Sequence, residues 1–135
     1  LSVINEDPNS RDFQVYSGFA AKLAERGFVT YAPHNYYSGG NEFRQLQRKA
    51  NPLKKTLFGI TTVQHQQMLD WLSSLPFVDA KRIGFYGLSY GGNTATRVPA
   101  LLQQYACVID SGDFNECVTK TVSVHYAYCF SPQCV

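Results

Sequence analysis

The stretch RIGFYGLSYGG, Arg82 to Gly92, decides how this chain is read. Its first half, IGFYG, is apolar and aromatic and predicts a short strand. The segment GGNTATRVPALLQQ that follows predicts a helix, and only Gly87-Leu88-Ser89-Tyr90-Gly91 is left to join them. Turning from strand to helix in so few residues forces the apex residue into an unfavourable backbone conformation, at φ > 0. That strain lifts the apex side chain clear of the backbone at the carboxyl end of the strand. Strand and helix approach closely on either side of the apex, and Gly87 and Gly91 are expected to meet the steric demand. The apex itself is Ser89. A serine hydroxyl is a poor nucleophile until a base activates it. The backbone N–H of Tyr90, opening the helix, is expected to donate to a developing oxyanion.

The bare spacing carries little weight, because G-x-S-x-G recurs by chance in ~5% of chains this long. The context carries more, since the motif needs a strand before it and a helix after it. Competing glycine motifs fail. The spacing is not G-x-G-x-x-G, and no lysine follows the glycines as a phosphate-binding loop requires.

The chain has 135 residues, enough for one modest domain with its own core. Hydrophobic residues make up 44% and charged residues 16%, the balance of a globular protein. No apolar run approaches the ~20 residues that span a bilayer. A net charge of +2 is too small to imply nucleic acid or an anionic membrane as partner. Cys107, Cys117, Cys129 and Cys134 form no C-x-x-C motif, and none of the three histidines lies near a cysteine pair, so no zinc site is expected. The even cysteine count leaves disulfides and reduced thiols both open, and with them the compartment. Cys107 is expected in a buried strand. There is no initiator methionine and no signal-peptide pattern, as expected of an internal piece of a longer protein.

Outward from the central stretch, TTVQHQQMLDWLSSLP, residues 61–76, predicts a helix with His65, Met68, Leu69 and Leu72 on one face. His65 is thereby read as a hydrogen-bonded core histidine rather than a catalytic one. ACVID, 106–110, predicts a further strand. Residues 34–58 are polar and read as a long loop with a short helix. Their basic residues, Arg44, Arg48, Lys49, Lys54 and Lys55, are read as a solvated face rather than a docking patch. FVTYAP, 28–33, predicts a strand, preceded by a helix over SGFAAKLAERG with Ser17 as N-cap and Gly27 as stop. Residues 1–15 read as loop. Strands alternating with helices predict an α/β fold, a parallel sheet with helices on both faces.

The segment MLDWLSSLPFVDAKRIGFYGLSYGG resembles the core of the α/β-hydrolase superfamily, and within it the dienelactone hydrolase and acetyl xylan esterase-like branch. An amphipathic helix, then VD-x-x-RI, then the serine elbow recurs there and in the related prolyl oligopeptidase-type peptidases. FAAKLAERGFVTYAP resembles the helix and strand that precede this region, so the likeness spans roughly residues 17–112. The resemblance implies that residues 1–135 form an incomplete α/β-hydrolase domain, its central portion, without the N-terminal strands and the C-terminal acid and histidine region. It implies Ser89 as nucleophile, Tyr90 as oxyanion donor, Gly87 and Gly91 as structural elbow positions, and no metal or organic cofactor. It implies hydrolysis of a small-molecule or carbohydrate-linked carboxylic ester through an acyl-enzyme. Peptide hydrolysis, or a non-catalytic binding role, are the alternatives.

In that family the acid and the histidine lie well downstream of the elbow. Asp110 and Asp113 follow the next strand and are the acid candidates within the chain; His125 is the histidine candidate. His34, Tyr36 and Tyr37 follow the strand at 28–33, at the sheet edge where ligands bind in open α/β folds, and are read equally as pocket lining or surface loop. Substrate identity and oligomeric state are not legible.

Overall fold

The structure is a computed structural model, and it describes residues 2–34 and 42–112. The chain forms two compact units, Leu1–Phe43 and Arg44–Val135.

The first unit begins with a 3₁₀ turn at Ser2–Ile4, followed by the polar run NEDPNS. That run is a chain of side-chain turns. The Asp7 N–H donates to Asn5 Oδ1 at 2.9 Å and the Asn9 N–H to Asp7 Oδ1 at 3.0 Å. Helix α1, Arg11–Tyr16, then forms inside the stretch expected to be loop. Ser10 nucleates it, its Oγ accepting from the Phe13 N–H at 3.0 Å as an N-cap. Ser17, expected to cap the next helix, instead ends α1 at φ 54. Helix α2, Phe19–Glu25, is capped by Gly18. Gly18 sits at φ 56, and a Cβ there would lie 3.1 Å from the Asn5 carbonyl, so two separate constraints select glycine. Gly27, at φ 90, closes α2 as the sequence predicted.

The strand expected at 28–33 does not form among the described residues. The segment is extended but joins no ladder, and Phe28 is 62% exposed. Its β-branched and aromatic composition favours extension, but only a neighbouring strand turns extension into sheet.

The second unit is built on all but the first two residues of helix α3 (Glu42–Ala50), on helix α4 (Leu57–Ser74), strand β1 (Gly84–Leu88), helix α5 (Tyr90–Arg97) and strand β2 (Cys107–Ser111). Helix α3 answers the short helix expected in 34–58, and a 3₁₀ turn at Asn51–Leu53 joins it to α4. Of the basic residues here, Arg48, Lys49, Lys54 and Lys55 are exposed and Arg44 is half-buried.

Helix α4 starts earlier than its periodicity suggested, because Leu57 and Thr61 continue the buried face of His65, Leu69 and Leu72. Burial of that face outweighs the helix penalty of Gly59, about 1 kcal/mol. Helix α5 is shorter than expected. Pro99 lacks the N–H that would continue it, and Val98–Leu102 closes as turns. Leu69, Leu72, Ile83, Val98 and Leu102 make the core, with Leu69 and Val98 fully buried.

β1 and β2 run parallel, with Gly84 opposite Cys107, Gly87 opposite Asp110 and Leu88 opposite Ser111. The architecture is α/β, a parallel strand pair with helices packed on it, as expected, but among the described residues the helices lie on one face where both were expected to be covered. α4 reaches the Phe85–Gly87 face through the His65 ring, which stands edge-on to Phe85 at 4.9 Å. α5 meets the same face at Gly87. On the opposite face Tyr86 and Ile109 are 41% and 53% exposed. Cys107 is exposed there too, which corrects the expectation of a buried cysteine. Cys117, Cys129 and Cys134 lie outside the described residues.

Candidate active site

The Ser89 turn stands at the carboxyl end of β1. Ser89 adopts φ 57 and ψ −114, one of three non-glycine residues with positive φ among those described. Such a conformation costs about 1–3 kcal/mol and persists only where the surroundings hold it. Two hydrogen bonds do so. The Ser89 N–H donates to the Ser111 carbonyl of β2 at 2.9 Å, and the Ser89 carbonyl accepts from the Asn93 N–H at 3.0 Å, the first bond of α5. The side chain is exposed. Although Ser89 occupies the N-cap position of α5, where serine ordinarily bonds the first-turn amides, its hydroxyl makes no capping bond. Serine here leaves its hydroxyl uncommitted to the helix amides.

The two glycines do different things. A Cβ on Gly87 would fall inside 3.0 Å of the Gly91 carbonyl carbon and oxygen and 2.9 Å from the Gly92 nitrogen. These are backbone atoms and cannot swing aside. A Cβ on Gly91 would meet nothing within 4 Å. The steric demand expected of both positions therefore falls on Gly87. Gly91 presents its backbone to Gly87, while its own Cβ direction points into open space.

Tyr90 opens α5, with its amide at the end of the helix that carries partial positive charge. Its ring lies parallel to that of Phe58 on α4, centroids 6.1 Å apart and planes 10° apart. Phe58 was not singled out from the sequence. The two residues are far apart in the chain, and no periodicity links them.

Asp110 lies on β2 opposite Gly87, one residue before the Ser111 carbonyl that anchors Ser89. Both its carboxylate oxygens are buried without a hydrogen-bond partner among the described residues. His65 is buried within α4, its Nδ1 2.6 Å from the Tyr105 hydroxyl. Burial lowers its pKa from the ordinary 6.5 and raises that of Tyr105. It is the hydrogen-bonded core histidine that the sequence predicted. His34 is exposed at the end of the extended segment of the first unit. Asp113, His125, Tyr36 and Tyr37 lie outside the described residues.

A strand leading through a positive-φ serine into a helix, with a glycine where the two elements touch, is the arrangement that defines the α/β-hydrolase class. The chain belongs to the Esterase FrsA-like family, whose family model matches residues 53–126 and so spans α4, β1, the Ser89 turn, α5 and β2.

Among curated relatives, the chain is 41% identical over 85 residues to the uncharacterized protein YcjY of Escherichia coli K12, covering 61% of this chain and 25% of YcjY. It is 31% identical over 108 residues to the uncharacterized protein PA2218 of Pseudomonas aeruginosa, covering 80% of this chain and 27% of that protein. Over 47 residues it is 45% identical to Esterase FrsA of Vibrio vulnificus, covering 33% of this chain and 11% of the esterase. The chain thus spans about a quarter of the length of the first two relatives. No solved structure matches it significantly.

Proposed function

We propose that this chain is the nucleophile-bearing part of a longer serine hydrolase that cleaves carboxylic esters through an acyl-enzyme on Ser89. The observation that carries the reading is the exposed, uncapped Ser89 hydroxyl on a strained strand-to-helix turn. Membership of an esterase family supports ester hydrolysis, and the coverage of the relatives supports a longer polypeptide.

In the proposed reaction Ser89 Oγ attacks the ester carbonyl while a histidine base takes its proton. The carbonyl oxygen becomes an oxyanion, held by the Tyr90 N–H and a second donor. Collapse breaks the ester C–O bond, and the histidine returns the proton to the leaving alcohol. Water, activated by the same base, then releases the acid and restores Ser89. His65 is bonded to Tyr105 in the core and is not assigned that role. The histidine and second donor are assigned to sequence beyond the described residues. The substrate class proposed is a small-molecule or carbohydrate-linked ester, following the resemblance to the dienelactone hydrolase and acetyl xylan esterase-like branch.

The test is covalent labelling of the intact protein by a fluorophosphonate, read by mass spectrometry, alongside p-nitrophenyl acetate and p-nitroanilide hydrolysis. Labelling at Ser89 and ester turnover, both lost in Ser89→Ala, are expected. Labelling or turnover that survives Ser89→Ala removes the assignment. Cleavage of the anilide in preference to the ester replaces ester with amide hydrolysis.

A further inference from the structure

Beside the Ser89 turn lies a stack that no step of the proposed reaction uses. Phe58, in the first turn of α4, faces the Tyr90 ring at 6.1 Å. The Arg97 guanidinium sits over the Phe58 ring at 5.1 Å. Arg97 also donates from Nη1 to the Asn93 carbonyl at 3.0 Å and to Asn93 Oδ1. Tyr90 and Arg97 are two helical turns apart on one side of α5. One ring from α4 therefore braces that side of α5 at both ends. The brace is itself anchored. Leu57, next in the chain, is buried, and Phe58 packs against the core of Leu69, Leu72 and Val98.

The placement bears on chemistry because of the peptide joining Ser89 to Tyr90. The direction of the Tyr90 N–H is set by Ser89 ψ and Tyr90 φ. Ser89 sits in a sparsely populated region, which relaxes unless both flanks hold it. On the strand side the hold is the bond to the Ser111 carbonyl. On the helix side the Ser89 carbonyl accepts from the Asn93 N–H at 3.0 Å, and the Tyr90 side chain lies against Phe58. We infer that Phe58 is a positioning residue for the Ser89 site: by stacking on Tyr90 it fixes the Ser89–Tyr90 peptide, and with it the N–H that receives the oxyanion. The inference rests on the Ser89 reading proposed above. Phe58 touches no reacting atom. It acts through Tyr90, so its loss weakens binding of the transition state and leaves binding of the ground state nearly alone.

The experiment compares Phe58→Leu, Tyr90→Leu, Phe58→Tyr and Ser89→Ala in the intact protein. Each is measured for kcat and KM on p-nitrophenyl acetate, for affinity toward a trifluoromethyl ketone, and for thermal unfolding. Removing an oxyanion donor outright lowers kcat by about 10²–10³, so misaligning one should lower it by roughly tenfold. Phe58→Leu is expected to show that loss, a KM within about twofold of the parent, and a ketone affinity that falls with kcat. Phe58→Tyr, which keeps the ring, recovers most of the kcat. Tyr90→Leu keeps the amide but removes the other ring, and is expected to match Phe58→Leu. It serves as the decisive variant if Phe58→Leu does not fold. Ser89-dependent turnover that is indifferent to both leucine variants overturns this inference alone. So does a kcat loss without a matching loss of ketone affinity. Turnover that survives Ser89→Ala, or a parent that neither turns over ester nor labels at Ser89, overturns the Ser89 reading and this inference with it.

Discussion

Adding one methyl group at Gly87 is the sharpest test of the turn. In Gly87→Ala the new Cβ falls inside 3.0 Å of the Gly91 carbonyl and 2.9 Å from the Gly92 nitrogen. Both neighbours are backbone of α5's first turn, so relief requires the helix to move off the strand. Overpacking of this kind costs about 1–3 kcal/mol, and more where no side chain can yield. Gly87 has no positive φ, so alanine is allowed there and recovers about 0.4–1 kcal/mol through the unfolded chain. The net expectation is a loss of about 2 kcal/mol. In the intact protein, longer than this chain, each kcal/mol shifts Tm by about 2 °C or less, so Tm should fall by up to about 4 °C. The control is Gly91→Ala, four residues away in the same motif. Its Cβ meets nothing within 4 Å, and alanine is the better helix former by about 1 kcal/mol, so that variant should melt at or above the parent. The assay is urea and thermal unfolding of the intact protein followed by circular dichroism. The same helix shift would disturb Ser89, so fluorophosphonate labelling should slow in Gly87→Ala and persist in Gly91→Ala. A Gly87→Ala protein as stable as the parent, or a Gly91→Ala protein destabilised equally, would refute the reading of the contact.

The His65–Tyr105 pair gives a pH prediction. Burial lowers the His65 pKa below 6.5, so between the folded and unfolded values the unfolded chain binds the extra proton. Its contribution to stability is therefore complete above about 6.5 and is lost as pH falls toward the folded value. Urea titrations of His65→Gln from neutral to acidic pH should show a flatter decline than the parent; an unchanged slope would remove His65 as the cause. Tyr105→Phe leaves His65 Nδ1 buried without its 2.6 Å partner, and should cost about 1–3 kcal/mol at neutral pH in the same assay. Asp110→Asn removes a charge whose two oxygens are buried without a partner among the described residues, and should be neutral or stabilising, with any loss under about 0.5 kcal/mol. A clearly larger loss in urea unfolding would mean that the carboxylate has a partner outside the described residues.

Much of the second unit could be read from the chain because its determinants are local. The β1–Ser89–α5 order follows from an apolar run, a glycine-bounded serine and a helix-forming segment that are contiguous in sequence. The face of α4 follows from periodicity, which also placed His65 in the core. Local signals failed where two of them competed. Ser10 and Ser17 are both N-cap residue types, and only the folded chain shows Ser10 starting α1 and Ser17 ending it, because Phe13 exchanges bonds with both.

What the tertiary structure alone decided are the relations between distant residues. Extended preference at 28–33 is a property of the segment, but a strand exists only when another strand pairs with it, and none does among the described residues. Cys107 has the sequence neighbours of a buried strand yet is exposed, since burial depends on what covers a sheet face. The motif treats Gly87 and Gly91 alike. Their difference appears only when α5 is laid against β1, because a Cβ direction has no meaning until its neighbours are in place. The Phe58–Tyr90 stack belongs to the same class: two aromatic residues 32 positions apart in sequence become a brace for one peptide only because α4 and α5 pack together in the folded chain.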